Sequence, residues 1–351
     1  MTSRREKNIY CTIIFIIVFT VSCKKENKKE IVCWGDSLTA QNEGKLDIAK
    51  NYLKTLLNIG TPNTSYPQYL EQSLNEEYGI INCGIGGENT LTIMSRQGAY
   101  PMLINRNITL PASTNPVTIG HFQDSILISS YDNRIITPLF QGKSCARINN
   151  CTINGIECIL KWEGKGVKID STKGKKIYIA DSMGVYTIER AESGKNEAKI
   201  KKGTPIVTWA MKNLRNAYVN IFFMGQNGGF KDSNELITQY KSMIKYSNCN
   251  RFIIIGYHKP NSATPSIKSM IEMENNLTKQ FGRNYINLRL FLNKKGLASV
   301  DLKANKEDLD SIKKGLVPPQ LMKDGCHFKP EGYQIIARLV KERLKELKYI
   351  N

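Results

Sequence analysis

Four short apolar runs, each stopped by glycine, constrain this chain more than any other feature: "IVCWG" from Ile31, "IINCG" from Ile80, "YVNIFFMG" from Tyr218 and "RFIIIG" from Arg251. Each has the length of a strand, and nearly continuous apolar strands belong in a sheet buried on both faces. Between them lie segments of helical period. "YPQYLEQSLNEEYG" places Tyr66, Tyr69, Leu70 and Leu74 on one helical face, with Pro67 in the first turn and Gly79 at the exit. A further helical stretch is expected between Ala40 and that helix. Asp232 with Glu235 has the pattern of a capping box for a helix running through Tyr246. "SIKSMIEMENNLTKQF" reads as a helix, and "YINLRLFL" after it as a strand. Pro330 opens a last helix with an apolar stripe of Ile335, Ile336, Leu339, Val340, Leu344 and Leu347. Strands that alternate with helices predict a parallel sheet covered on both sides.

That alternation breaks between about Tyr100 and Val207. Short runs such as "ILIS", "CILKW", "GVKI", "KIYIA" and "GVYTI" are separated there by Gly, Asn, Lys and Asp, without helical periodicity. They predict a β-rich inserted domain over residues 103–207, dividing the α/β part into residues 31–102 and 208–351. Proline marks both borders, in "TLPASTNPV" and "KKGTPIV".

The first residues stand outside this pattern. Arg4, Arg5 and Lys7 precede "IYCTIIFIIVFTVSC", an apolar run shorter than the roughly 20 residues of a membrane span, so residues 1–23 read as an export signal. Ser22-Cys23 resembles the processing site of bacterial lipoproteins, with Cys23 as the lipid-bearing N-terminus of the mature chain. Residues 24–30 then form a charged tether, and Cys-Lys-Lys-Glu resembles a signal for display on the outer membrane or cell surface. The formal charge of +19 is spread along the chain without a dense basic tract, which gives a basic surface but no nucleic-acid module. The nine cysteines show no Cys-x-x-Cys and no paired histidines, so no metal site is expected; Cys33 and Cys83 read as buried free thiols.

"IVCWGDSLTA" delivers Ser37 just past a strand end, the edge where α/β proteins place their chemistry. A serine hydroxyl needs a base, and the base needs a carboxylate to fix its tautomer and stabilise its charge. The chain has only three histidines. His121 falls in the β-rich segment, and His258 follows "FIIIGY" at a strand end as a rival base. His327 lies in "DGCHFKPEGY", three residues after Asp324, a spacing that lets one turn bring carboxylate and imidazole together.

In order along the chain, "GDSLT", "NCGIGGENT", "GQNGG" and "DGCH" resemble the four blocks of the SGNH or GDSL hydrolases, serine esterases and lipases with a flavodoxin-like three-layer α/β/α sandwich. The resemblance covers roughly Glu30 to Pro101 and Val207 to the C-terminus. It implies that Ser37 is the nucleophile, His327 the general base and Asp324 its orienting partner. It further implies an oxyanion hole made by the backbone N–H groups of Ser37 and Gly87 and the side-chain amide of Asn227. Gly86 adjoins Gly87 as an alternative donor, and Gly228 stands where the family more often has Asp. Asp36 reads as structural, holding the turn; Cys326 reads as a loop filler.

The expected protein is therefore a cofactor-free serine ester hydrolase, exported and held to a membrane by its N-terminal lipid. The resemblance favours small acyl groups, acetyl among them, on a carbohydrate or glycoconjugate. Two alternatives are a longer-chain lipase, thioesterase or lysophospholipase, and a catalytically silent glycan-binding surface lipoprotein.

Overall fold

The computed structural model describes residues 28–40, 65–121, 127–136, 150–163, 167–170, 176–179 and 185–351. The expected export signal, Cys23, most of the tether and the helical stretch after Ala40 lie outside the described residues.

Five parallel strands form the central sheet: β1 (Lys29–Gly35), β2 (Tyr78–Gly84), β3 (Val219–Phe223), β4 (Phe252–Ile255) and β5 (Tyr285–Ile286). Their order is β5-β4-β3-β1-β2. Read from the other edge this is 2-1-3-4-5, the flavodoxin-like arrangement, whose ligand crevice opens where the order reverses, beside the carboxyl ends of β1 and β3. Pairing aligns those ends: Gly35 lies opposite both Phe223 of β3 and Gly84 of β2.

Alternation along each strand divides the core in two. Ile31, Cys33, Val219, Ile221, Phe223, Ile253 and Ile255 face one layer, built from helices α1 (Tyr66–Ser73) and α8 (Pro330–Glu346) and the chain around Leu288–Leu321. Val32, Trp34, Phe222 and Ile254 face the other layer. That layer is built from α2 (Thr90–Gln97), α3 (Trp209–Asn213), α4 (Ser233–Tyr246) and α5 (Ile267–Phe281). The result is a three-layer α/β/α sandwich. Ile335, Ile336, Val340 and Leu344 are the buried part of the α8 stripe.

Between β2 and β3 the described strands are antiparallel. Ile206–Thr208, Asn150–Ile153, Ile156–Glu163, Val185–Arg190 and Val117–His121 make a five-stranded sheet in that spatial order, and two-stranded pairs flank it. Asn154-Gly155, both at positive φ, closes the tight turn between the second and third strands. This sheet has a core of its own, including Ile153, Leu160, Tyr186 and Ile188. Helix α2 adds Leu91 to that core and Ile93 and Met94 to the sandwich, so every residue of α2 is buried.

Two elements differ from expectation. Helix α1 ends at Ser73, with Leu74 extended, and Gly79 lies within β2. "YINLRLFL" is a strand only as far as Ile286. The Asn287 side chain then accepts the Leu290 N–H at 3.1 Å and caps helix α6 (Leu288–Phe291). A short apolar run fits either period, and the asparagine cap decides for helix. Among the described residues no helix is long and apolar enough to cross a membrane.

Candidate active site

Ser37 follows β1 in a tight turn, where Thr39 and Ala40 donate their N–H groups to the Asp36 carbonyl. The Asp36 carboxylate folds back to accept the Leu38 N–H at 2.9 Å, the turn-holding role expected of it. The turn is pressed against both neighbouring strands. A Cβ on Gly84 would lie 2.2 Å from the Ala40 nitrogen, and one on Gly35 would lie 2.5 Å from the Phe223 carbonyl oxygen. Only glycine permits that approach. Asn82 at the end of β2 locks it, donating to the Thr39 carbonyl at 2.9 Å and accepting the Gly84 N–H at 2.9 Å.

The turn before α8 brings in the imidazole. His327 Nε2 lies 2.9 Å from Ser37 Oγ, across 290 positions of sequence. On the far side of the ring, Nδ1 lies 2.9 Å from Asp324 Oδ2 and 3.2 Å from Oδ1. Asp324 Oδ1 also accepts the backbone N–H groups of Cys326 and His327, each at 2.7 Å. Partial burial works against the ionised carboxyl. The two N–H groups and the His327 ring outweigh it and hold Asp324 down at about 2. An ionised carboxylate only accepts, so Nδ1 carries the ring proton and Nε2 is left to accept from the Ser37 hydroxyl.

His258, the rival base, borders the same loop as His327 but is not the imidazole on Ser37. It is buried against Phe328, ring centroids 4.4 Å apart, and burial pulls its pKa down to about 3, so it stays neutral. Burial pushes the Cys326 thiol up to about 11, which leaves it protonated and a poor nucleophile. Cys33 and Cys83 are both buried. Strand Val117–His121 carries His121 in the antiparallel sheet.

Gly87 occupies the third position of a turn in which Glu88 N–H returns to the Ile85 carbonyl, and its φ of +83° is the left-handed value that this position demands. The N–H groups of Ser37 and Gly87 have no acceptor among the described residues, and nor does that of Gly86. Asn227 follows β3 and reaches the same place. Its Nδ2 donates to the Glu88 carbonyl at 3.0 Å and to Asp36 Oδ2 at 3.2 Å. The amide expected to bind an oxyanion is thus held between the Ser37 turn and the Gly87 turn. Gly228, at φ +72°, contributes a carbonyl that accepts the Thr90 N–H.

Two features of the site had no signal in the motifs. Asp36 is fully buried; burial, with the Glu88 charge adding to it, outweighs the Leu38 N–H and pushes its pKa up to about 7. Beneath the Gly87 turn, Glu88 and Arg96 form an ion pair at 2.8 Å with both side chains fully buried, and Arg96 also donates to the Cys83 carbonyl. Among the described residues no group of three or more His, Cys, Asp and Glu side chains is placed to hold a metal ion.

No family model matches the chain, and no curated protein does. Solved structures do. A carbohydrate acetylesterase family member from Sinorhizobium meliloti matches at 9% identity and TM-score 0.34, over 90% of this chain and 99% of that one. The M. smegmatis aryl esterase matches at 9% identity and TM-score 0.34, over 91% of this chain and 99% of that one. A peptidoglycan O-acetylesterase matches at 13% identity and TM-score 0.31, over 92% of each chain.

Proposed function

We propose that the protein is a serine ester hydrolase working through an acyl-enzyme on Ser37. The observation that carries this reading is the unbroken relay from Ser37 Oγ to His327 Nε2, and from His327 Nδ1 to Asp324, each link 2.9 Å. Ser37 Oγ attacks the ester carbonyl carbon as its proton passes to His327 Nε2, and the carbonyl electron pair moves onto oxygen. The N–H groups of Ser37 and Gly87 stabilise that oxyanion, with Asn227 donating once one of its present bonds is shared. Collapse of the intermediate breaks the bond to the alcohol, which leaves with the proton from Nε2. Water, deprotonated by the same nitrogen, then releases the acid and restores Ser37.

The acyl group is small, acetyl among the candidates, and the alcohol belongs to a carbohydrate or glycoconjugate. The support is the four-block resemblance together with the export pattern of residues 1–23, which directs the chain out of the cytoplasm with a lipid on Cys23. Hydrolysis of p-nitrophenyl acetate tests the chemistry. Ser37→Ala and His327→Ala are each expected to lose at least about 10³-fold in kcat; turnover that survives Ser37→Ala overturns the mechanism. Esters of increasing length test the substrate class, with a steep fall beyond acetate expected and a flat or rising series pointing to a lipase.

A further inference from the structure

A cavity of about 550 Å³ opens where the antiparallel segment meets α4, lined by Tyr100, Tyr131, Arg134, Lys231, Asn234 and Gln239 among others. We propose that it is a subsite for an uncharged pyranose unit of the glycan whose ester is cleaved; the proposal rests on the esterase reading and extends it to the sugar.

Its platform is a pair of tyrosines stacked at 4.5 Å with planes 9° apart. Tyr100 is the inner ring, 8% exposed, and its hydroxyl is hydrogen-bonded to Ser242 Oγ of α4 at 2.9 Å. Tyr131 is the outer ring, 59% exposed. It is held in a tight turn where Asn133 has positive φ, Ser129 N–H bonds to the Arg134 carbonyl, and Ser130 N–H bonds to the Pro101 carbonyl. A large aromatic fixed in place and left open to water forgoes burial that most tyrosines obtain. An aromatic face suits the apolar C–H face of a pyranose, whose hydroxyls then turn to a polar rim.

The rim is of that kind. Arg134 is committed to ion pairs with Asp132 and with Glu235. Glu235 also accepts the Lys231 N–H at 2.9 Å, and Asp232 caps α4 by accepting the Glu235 N–H at 2.9 Å. Asp132, Asp232 and Glu235 together outnumber Arg134 and Lys231 in the lining, so the rim carries no excess positive charge for an anionic sugar. The Lys231 ammonium and the Asn234 amide have no partner among the described residues and are exposed, as donors for hydroxyls should be.

The cavity also lies close to the oxyanion loop. Gln239 in its wall donates to the Gly229 carbonyl at 2.9 Å, two positions past Asn227. Lys231 follows Asn227 by four residues, so the two backbones are no more than about 14 Å apart.

Saturation-transfer NMR and calorimetry with four uncharged oligosaccharides that carry no ester (xylotetraose, cellotetraose, chitotetraose and mannotetraose) test binding without any turnover. At least one is expected to bind, tenfold or more weaker to Tyr131→Ala and with affinity retained in Tyr131→Trp, which also reports that the turn still folds. For the O-acetylated form of the tetraose that binds, the ratio of its kcat/KM to that for p-nitrophenyl acetate is expected to fall about tenfold in Tyr131→Ala, through KM. Binding to none of the four, binding indifferent to Tyr131→Ala, or an unchanged ratio overturns the subsite. Loss of p-nitrophenyl acetate turnover with binding intact would sink the esterase reading alone; failed binding with turnover intact would sink the subsite alone.

Discussion

On the proposed mechanism, Asn227 and Asp36 set the oxyanion hole. The amide nitrogen donates to two acceptors, at 3.0 and 3.2 Å, so both N–H groups are engaged and the amide is fixed in place before any substrate arrives; one bond would be shared when an oxyanion forms. Asn227→Ala is expected to lower kcat for p-nitrophenyl acetate by about 10²–10³-fold with little change in KM. Asp36→Asn keeps an acceptor for the Leu38 N–H but turns an NH₂ group toward the Asn227 NH₂ group. Two donors cannot bond, so a smaller loss of kcat is expected from the same assay, and an unchanged kcat would show that Asp36 does not position the amide. The turns that carry Ser37, Asp324, His327 and Asn227 stand out in the sequence because each of these residues lies within two positions of a glycine, Gly35, Gly325 or Gly228. The Asp36–Asn227 contact was not, because it joins positions 191 residues apart and neither residue type announces the other. The Glu88–Arg96 pair was hidden differently: charged residues read as solvated, and nothing in "GGENT" signals full burial.

Among the elements, the end of β2 bears most directly on the proposed site, because the Ser37 turn packs on it with no room for a side chain. Gly84→Ala would set a Cβ 2.2 Å from the Ala40 backbone nitrogen. The expected cost is about 1–3 kcal/mol in thermal unfolding, with a fall in kcat as Ser37 shifts from His327; a variant matching the parent in both would show that the turn yields freely. The sheet was legible because its strands are buried on both faces and carry unbroken apolar runs. "YINLRLFL" misled for the same reason, since an apolar run does not state its period and the chain leaves the sheet at Asn287. Gly79 misled because glycine stops helices but also sits inside strands, and α1 had already ended at Ser73.

For the whole molecule, Asp36 and Asp324 tilt stability against pH in opposite directions. Asp36 titrates at about 7 in the native protein and near 3.9 when unfolded, so between about pH 4 and 7 the native state holds more protons and its stability falls as pH rises. Asp324 titrates at about 2 when folded, so its contribution is present above about pH 4 and is lost as pH falls toward 2. Urea unfolding at pH 7, 4 and 2 checks both signs. Relative to Asp36→Asn, the parent should lose stability from pH 4 to 7; relative to Asp324→Asn, it should lose stability from pH 4 to 2. The antiparallel segment between β2 and β3 could be read from its broken periodicity, but the fit of α2 against both cores could not, since an all-buried helix shows no amphipathic stripe to point its faces.

The loop that carries Asp324 and His327 is closed on itself. Met322 pairs with Phe328, Lys323 N–H bonds to the His327 carbonyl at 2.8 Å, and Lys329 N–H bonds to the Leu321 carbonyl at 2.9 Å. His327 and Asp324 therefore travel together; Phe328 anchors their loop in the core against His258 and Tyr333, and the His327 ring carries the contact to Ser37. A change that lifted this loop would remove both groups in one movement, so on the proposed mechanism activity would be lost in a single step rather than by degrees.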